Sequence, residues 1–322
     1  MIPIRDTTES KIVPVVNYSL IGINVFCFLI QLTPGRDLAE FIYIYGLVPA
    51  RYSDPMSIAY FSTGQQLFSF ISFMFLHGGF WHLLGNMWFL FIFGDNVEDH
   101  LGSVRYLGFY LACGWASGAA QMLLNIHSEV PVIGASGAIA GVMGAYLILY
   151  PMARVLTLIP IFIIPFFVEI PAFFFLGFWF LLQFLSATGG AMAGVAWWAH
   201  VGGFVFGVVF LKLFHRVPAV GISRRARQMA ERKKTHSLQV IRPSGPGDDD
   251  HLYGTLAVTP HEARIGTKKL VNIPWGFQRR MFQVWVPPGS EDGDKLRMAG
   301  LGKITGDGGR GDVFLTVRIR PM

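Results

Sequence analysis

Gly134-Ala135-Ser136-Gly137 stands at the head of an apolar stretch that runs to about Tyr150 and is rich in Gly and Ala. Another apolar stretch begins near Val195 and carries His200 close to its start. A serine hydroxyl is a poor nucleophile unless a neighbouring base takes its proton. A neutral imidazole can be that base, so we expect Ser136 to work with His200.

The composition indicates a membrane protein. Of 322 residues, 52% are hydrophobic and only 14% are charged, whereas soluble domains have about 25% charged residues. Several apolar runs reach about 20 residues, the length that crosses a bilayer core. The two cysteines, Cys27 and Cys113, both lie in apolar runs and indicate buried thiols rather than a disulfide framework or a metal site.

The apolar runs predict an all-α polytopic bundle of six transmembrane helices, at about 13–32, 80–93, 104–124, 134–150, 156–185 and 195–214. Residues 67–76 are apolar but too short to span. The polar run 95–100 is expected to close the second span. Prolines interrupt the fifth span, whose best helical part is 172–185.

Basic residues predict the orientation, because cytoplasmic segments are enriched in Lys and Arg. They concentrate after the last span, at Lys212, Arg216, Arg224, Arg225, Arg227, Arg232, Lys233 and Lys234. Both termini are therefore expected to be cytoplasmic. Arg36 and Arg51, after the first span, are exceptions. No signal-peptide cleavage pattern follows the first apolar run, so we expect that run to stay as a membrane helix.

Under this topology the second, fourth and sixth spans all start on the outer side. His82, Asn86, Ser136 and His200 then lie at a similar depth in the outer half of the bilayer. A serine in a small-residue helix usually serves packing, and a single membrane histidine is usually structural. Four polar residues at one level are costly in lipid and favour a functional site.

The chemistry also needs donors for a developing oxyanion. The backbone N–H of Ser136 at a helix start, the Asn86 amide and the His82 imidazole are candidates, and His82 and Asn86 share a helix face. Gly134 and Gly137 allow close approach to the serine. The outer halves of these spans contain no Asp or Glu to orient His200, which predicts a Ser-His dyad.

Small residues recur every four positions in the fourth and sixth spans. They are Gly137, Gly141 and Ala145 in one, and Ala199, Gly203 and Gly207 in the other. Such stripes let two helices pack with their backbones close together. Packing of the two stripes would bring Ser136 within hydrogen-bonding distance of His200.

Together, Gly134-Ala135-Ser136-Gly137, His82-Leu83-Leu84-Gly85-Asn86 and His200 followed by Gly203 and Gly207 resemble the three signatures of the rhomboid intramembrane serine proteases, over about residues 10–215. The resemblance implies Ser136 as nucleophile and His200 as general base. It implies His82, Asn86 and the Ser136 backbone as the oxyanion site. His77, Gly134, Gly137, Gly203 and Gly207 would support the site, His77 structurally.

The sequence departs from the family pattern at two places. A Trp-Arg pair common in the loop before the second span is replaced by Gln65-Gln66-Leu67-Phe68, and Ala140 stands where some members carry an aromatic that packs on the histidine. The imidazole is therefore expected to be held differently. Glu98 and Ser103 resemble a structural pair on the cytoplasmic side, although a helix-end carboxylate and a cap explain them equally well.

The resemblance implies a serine endopeptidase that hydrolyses peptide bonds in or near transmembrane segments of other proteins. Its partners would be those substrates and the lipid bilayer, with no cofactor, metal or nucleic acid. The fifth span is the expected lateral gate, and the bacterial inner membrane is the expected location, with the site open to the outer side. Two alternatives are an inactive rhomboid-like protein that binds membrane helices or unfolded segments, and a transporter-like bundle.

The tail has a different composition. Residues 216–251 are basic and then Pro/Gly/Asp-rich, which indicates a linker. Residues 252–322 contain alternating segments at 269–273, 281–286 and 312–319 that predict a small, cytoplasmic, sandwich-like all-β domain. This part resembles the C-terminal β domain of J-domain co-chaperones, without a His-Pro-Asp tripeptide or Cys repeats. It implies either binding of exposed peptide or self-association, or a stable appendage.

Overall fold

The computed structural model describes residues 1–8, 10, 12–33, 37–161, 164–189, 194–216, 238–241, 250–275, 278–305 and 309–320. The chain divides into two compact units, one of Met1–Thr157 and Glu169–Ala230 and the other of Leu158–Val168 and Glu231–Met322. The basic residues from Arg224 to Lys234 on which the predicted orientation depends, and Arg36, lie outside the described residues.

The first unit is helical. Its helices are α1 (Val15–Gln31), α2 (Leu38–Tyr45), α3 (Pro55–Tyr60), α4 (Thr63–Ser72), α5 (Phe80–Leu101), α6 (Ser103–Leu124), α7 (Ser136–Leu149), α8 (Ala172–Thr188) and α9 (Trp197–Arg216). Three strands, β1 (Ile2–Asp6), β2 (Arg154–Ile161) and β3 (Ile164–Pro171), form a sheet in the order β1-β2-β3, and the parts of β2 and β3 within Leu158–Val168 are grouped with the second unit.

Length and hydropathy identify fewer membrane-crossing helices than the six predicted. Within the described residues, α6 and the Trp197–Phe214 part of α9 are long and apolar enough to cross a bilayer, and Thr63–Phe75 with Phe80–Leu101, bent by 78°, adds a third if the pair is one span. α1, α7 and α8 are apolar but shorter. The 14 residues of α7 extend roughly 21 Å, less than a hydrocarbon core of about 30 Å.

The helix of the second predicted span continues through the polar run 95–100, because α5 extends to Leu101. Glu98 explains this continuation. Its carboxylate is buried and accepts the backbone N–H groups of Val16 (3.1 Å) and Asn17 (2.8 Å) at the start of α1 and the Ser103 hydroxyl (2.6 Å). The carboxylate therefore satisfies donors at the starts of two other helices. α5 ends at Gly102, whose φ of 78° favours glycine.

The first half of the fifth predicted span is not helical. Residues 154–171 form β2 and β3, and α8 begins only after Pro171. Proline removes a backbone donor and disfavours a helical conformation in the residue before it, so 160, 165 and 171 stop a continuous helix. The part singled out from the sequence, 172–185, coincides with α8.

α7 and α9 pack with their backbones in contact, as the two stripes of small residues predict. A Cβ built on Gly203 would overlap the carbonyl oxygen of Gly137, and one on Gly207 would overlap that of Gly141. A Cβ on Gly144 would overlap the Phe204 carbonyl oxygen. Side chains at these positions would push the helices apart, so the glycines are required for the approach.

The second unit contains a β domain. Its elements are β4 (Leu238–Val240), β5 (Leu252–Val258), α10 (Pro260–Ile265), β6 (Thr267–Trp275), β7 (Gln278–Val286), β8 (Lys295–Met298) and β9 (Val313–Ile319). They form two three-stranded sheets, β4-β6-β7 and β5-β9-β8. Buried side chains from both sheets, among them Val271, Val284, Leu256 and Leu315, share one hydrophobic core.

The β domain begins earlier than the predicted boundary at residue 252. β4 lies inside the predicted linker and pairs in parallel with β6, with Gln239 opposite Val271. The predicted strands at 269–273, 281–286 and 312–319 lie within or overlap β6, β7 and β9. The resemblance to the C-terminal domain of J-domain co-chaperones is not confirmed and stays a prediction.

Candidate active site

Ser136 is the first residue of α7, and the backbone conformation of Gly134 determines where the serine lies. Gly134 has a φ of 120°, a conformation that L side chains rarely adopt, and its N–H donates to the Phe73 carbonyl (2.8 Å). The chain therefore turns sharply just before the serine. This turn leaves the Ser136 hydroxyl at the N-terminal end of α7, where the first N–H groups of the helix have no intrahelical acceptor.

His200 lies in the first turn of α9 and reaches that hydroxyl. Its Nε2 is 2.8 Å from the Ser136 Oγ. The two residues are 64 positions apart in the chain, and the glycine contacts between α7 and α9 bring them together. The hydrogen bond expected from the sequence is therefore present in the structure.

The other ring nitrogen of His200 contacts a residue that the sequence analysis missed. Its Nδ1 is 2.8 Å from the Oε1 of Gln183, a buried residue of α8. An amide oxygen carries no hydrogen and can only accept, so Nδ1 is the donor. The prediction of a Ser-His dyad depended on the absence of Asp and Glu, and an amide partner was not among the expectations. A glutamine in an otherwise apolar segment was the signal available.

Aromatic side chains flank the His200 ring. The ring centroids of Trp179 and Trp197 each lie 6.0 Å from that of His200, the first at 35° and the second edge-on at 88°. These two tryptophans provide the aromatic contacts that Ala140, which is buried in α7, cannot make. α8 and the start of α9 hold the imidazole instead.

His82 and Asn86 lie in the first two turns of α5 and converge on Gly134. A Cβ built on Gly134 would lie 2.9 Å from His82 Nε2 and 3.5 Å from Asn86 Nδ2. The Gly78 N–H donates to His82 Nδ1 (3.3 Å), so Nε2 carries the proton when the ring is neutral. Asn86 Nδ2 is buried and has no hydrogen-bond partner among the residues that the structure describes. Two donors thus face the space next to the serine.

His77 lies apart from the Ser136–His200 pair. It is buried, and its ring packs edge-on against His82 with centroids 5.2 Å apart. The Gln31 amide exchanges two hydrogen bonds with the His77 backbone, at 3.1 and 3.0 Å. This geometry fits the structural role expected for His77.

A cavity of about 310 Å³ opens beside the start of α9. Its polar lining includes Gln121, Asn125, Ser128 and Ser186, and Trp197, which packs edge-on against the His200 ring, also lines it. The Gln121 Oε1 accepts the Ala199 N–H (3.1 Å) next to the histidine. In the described ranges no group of three or more His, Cys, Asp or Glu side chains could hold a metal ion. The expected absence of a cofactor stays a prediction.

Apolar helices and a half-buried, hydrogen-bonded serine–histidine pair define the class: an integral membrane protein with the side-chain pair of a serine hydrolase. Residues 64–217 match the family description "Rhomboid domain". Rhomboid protein 1, mitochondrial, of Saccharomyces cerevisiae (strain ATCC 204508 / S288c) is 29% identical over 204 residues, which cover 60% of this chain and 51% of that protein. This stretch, just under half of the chain, is therefore similar to a rhomboid domain.

Two proteins of Arabidopsis thaliana are also similar to this chain. RHOMBOID-like protein 5 is 38% identical over 77 residues, 24% of this chain and 25% of that protein. RHOMBOID-like protein 6, mitochondrial, is 38% identical over 84 residues, 26% of this chain and 27% of that protein. The chain thus spans about half the length of the yeast relative and about a quarter of the plant relatives. Two of the three names are mitochondrial, so the prediction of a bacterial inner membrane gains no support.

Proposed function

We propose that this protein is an intramembrane serine endopeptidase that uses Ser136 and His200. The observation that carries the proposal is the 2.8 Å distance between Ser136 Oγ and His200 Nε2. Similarity to the rhomboid family over residues 64–217 supports it, because relatives of this family are typically intramembrane serine proteases.

In the acylation step, His200 Nε2 takes the Ser136 proton as the Oγ attacks a peptide carbonyl carbon. The imidazolium then gives this proton to the leaving amine as the C–N bond breaks, and an acyl-enzyme ester on Ser136 remains. In the second step His200 takes a proton from water, the resulting oxygen attacks the ester, and the proton returns to Ser136. The products are a carboxylic acid and an amine.

The negative charge of each tetrahedral intermediate would be stabilised by His82, Asn86 and the N–H of Ser136. His82 Nε2–H and Asn86 Nδ2–H are aimed at the space beside Gly134, and a helix start adds a favourable dipole. Such donors are effective because they are in place before the charge develops. The unsatisfied Asn86 amide is consistent with a donor that finds its acceptor only during the reaction.

The substrate class follows from the surroundings of the site. α1 and α6 to α9 are apolar helices, so an approaching chain would come from the membrane and would have to unwind locally to expose a carbonyl. We propose six crossings, with the shorter α1, α7 and α8 completing the set, and a site on the side opposite the chain termini. α8 would be the entrance for substrate, and the cavity beside Trp197 would supply water.

The β domain would be either a binding module for exposed peptide or for a second copy of the chain, or a stable appendage. Deletion of residues 240–322 separates these roles. A changed range of cleaved substrates would support a binding module, whereas an unchanged range would support an appendage.

The protease proposal is tested by labelling detergent-solubilised protein with a fluorophosphonate probe. We expect wild-type protein to label and Ser136→Ala and His200→Ala to lose labelling. Ser19→Ala is a matched serine control, because its exposed hydroxyl donates to the Val15 carbonyl of the same helix, α1. His127→Ala is the histidine control, because that residue is exposed in a loop. Both controls should label as the wild type does.

Cleavage of single-pass membrane proteins in liposomes then tests the substrate class. Loss of cleavage in Ser136→Ala would identify Ser136 as essential to proteolysis. A folded wild-type protein that neither labels nor cleaves would contradict the proposal. It would favour the inactive rhomboid-like alternative, for which co-purification of membrane helices is the measurement.

A further inference from the structure

We propose that Gln183 is a positioning residue that sets the tautomer and the orientation of the His200 imidazole. The inference deepens the proposed protease function and rests on it. It starts from the hydrogen bond of 2.8 Å between Gln183 Oε1 and His200 Nδ1. The sequence offers no carboxylate for this role near the pair, and the amide takes its place.

The tautomer decides whether His200 can act as a base. A neutral imidazole carries one proton, on Nδ1 or on Nε2, and a hydrogen bond to one nitrogen determines which. A proton on Nε2 would leave no lone pair to accept the Ser136 proton. Because Gln183 Oε1 can only accept, it requires the proton on Nδ1 and leaves Nε2 free towards Ser136.

The aromatic contacts around the imidazole do not select its tautomer, whereas the contact with Gln183 does. Trp179 and Trp197 flank the imidazole with their rings, which restricts the plane of the ring but does not distinguish its two nitrogens. Gln183 is only 9% exposed, so little water competes for Nδ1. In the apolar surroundings of α8, a buried amide oxygen without a hydrogen bond would cost free energy. A hydrogen bond accepted from Nδ1 removes this cost.

A neutral amide also has a consequence that a carboxylate would not have. It orients the ring without adding a negative charge beside the imidazolium that forms during acylation. Replacement by a carboxylate should therefore change the basicity of His200. An opposite charge close to a histidine favours its protonated form and raises its pKa.

The competing explanation is structural: Gln183 could simply fasten α8 to α9. Two variants separate the explanations. Gln183→Met preserves the length of the side chain but removes the acceptor. Gln183→Glu keeps an acceptor oxygen and adds a charge. Thr188→Val is the control on the same helix, because the Thr188 hydroxyl donates to the Phe184 and Leu185 carbonyls of α8 itself.

The direct measurement is ¹⁵N NMR of histidine-labelled full-length protein in detergent, with His200→Ala used to assign the His200 signals. We expect the wild type and Thr188→Val to show a protonated Nδ1 and an unprotonated Nε2. Gln183→Met should populate the Nε2–H tautomer. A wild type with the proton on Nε2, or an unchanged tautomer in Gln183→Met, would overturn the proposal.

The kinetic measurement is the rate of fluorophosphonate labelling as a function of pH. Gln183→Met should label about tenfold more slowly, the equivalent of one lost hydrogen bond. Gln183→Glu should regain most of the rate at high pH, with the acidic limb of its profile moved to higher pH. A purely structural Gln183 would lower the melting temperature in both variants, and folded Gln183→Met would then label at the wild-type rate.

The NMR result does not depend on catalysis, so the two proposals can fail separately. An unlabelled wild type with a protonated Nδ1 would contradict the protease and support the positioning of His200. A labelled wild type with a protonated Nε2 would contradict the role of Gln183 and support the protease.

Discussion

The Asp6 carboxylate accepts a hydrogen bond from the Tyr146 hydroxyl, with 2.5 Å between the two oxygens. Tyr146 is near the end of α7 opposite Ser136, and the residues are 140 positions apart. Asn96 Nδ2 donates to the same Asp6 oxygen at 2.8 Å. The N-terminal segment is thereby tied to the ends of α5 and α7.

This contact predicts a pH dependence of stability. Burial raises the pKa of Asp6 from 3.8 to about 6, although hydrogen bonds from Tyr146 and Thr8 and the charge of Arg5 oppose the rise. A carboxyl with a raised pKa in the folded state binds its proton more tightly there than in the unfolded state. Its contribution to stability is therefore complete below about pH 4 and is lost as the pH rises through about 6.

Asp6→Asn should remove this part of the pH dependence, because the amide does not titrate. We expect the melting temperature in detergent to fall between about pH 4 and pH 6 in the wild type more than in the variant. Asp37→Asn is the control, because Asp37 is an exposed cap of α2. Equal slopes in the wild type and in Asp6→Asn would show that burial of Asp6 is not coupled to folding.

Gly203→Ala should separate α9 from α7. The added Cβ would overlap the Gly137 carbonyl oxygen, and overpacking of this kind costs about 1–3 kcal/mol. We expect a lower melting temperature and at least a tenfold loss of fluorophosphonate labelling, since the Ser136–His200 hydrogen bond depends on this contact. A Cβ added at Gly177 in α8 meets no atom within 4 Å. Gly177→Ala should therefore retain the melting temperature and the labelling of the wild type. Full labelling of Gly203→Ala would mean that the contact between α7 and α9 does not determine the distance between Ser136 Oγ and His200 Nε2.

Asn86→Ala should slow acylation without disturbing the Ser136–His200 pair. Loss of one oxyanion donor costs about 10²–10³-fold in rate. The measurement is the labelling rate at saturating probe, compared with Asn125→Ala, whose amide follows α6 and donates to the Gln121 carbonyl near the end of that helix. An unchanged rate in Asn86→Ala would exclude this amide from the oxyanion site.

Lys269→Met should destabilise the β domain strongly. Lys269 Nζ lies 2.5 Å from Glu262 Oε1, and the side chains are 2% and 1% exposed. Removal of the lysine leaves a buried carboxylate without its charge partner, which costs about 3–5 kcal/mol. Hydrogen exchange of β6 amides in the full-length protein measures the loss.

Two further variants control for this effect. The double variant Lys269→Met, Glu262→Gln removes both charges and retains a capping residue for α10, so it should lose less protection than Lys269→Met alone. Arg318→Met breaks an exposed ion pair with Asp292 and should leave exchange unchanged. Equal losses in the single and double variants would contradict the buried-charge explanation.

The sequence predicted the helices whose ends carry strong signals. α1, α6, α7 and α9 begin and end within about two residues of the predicted spans, because apolar runs bounded by polar or small residues leave little choice. The start of α7 at Ser136 and the contact with His200 were also predicted, from spacing and from the small residues between them.

Other features depend on contacts that the sequence does not display. The polar end of α5 is helical because Glu98 finds donors in α1 and at the start of α6. The neighbouring strands β2 and β3 replace half of a predicted span because residues 154–161 and 164–171 form strands rather than a helix. Gln183 was not predicted as a site residue, because the sequence does not distinguish an uncharged amide that binds a partner from one that only packs.

The sparse burial of α8 has a thermodynamic consequence. Ala172, Phe175 and Leu176 are buried in its first half, whereas Gln183 is the buried residue of its second half. The hydrogen bond to His200 therefore also holds the far end of the helix against the bundle. Binding equilibria that share a contact are reciprocally coupled. A ligand that draws this end of α8 outwards would change the proton arrangement on His200, and protonation of His200 would in turn shift the equilibrium position of α8.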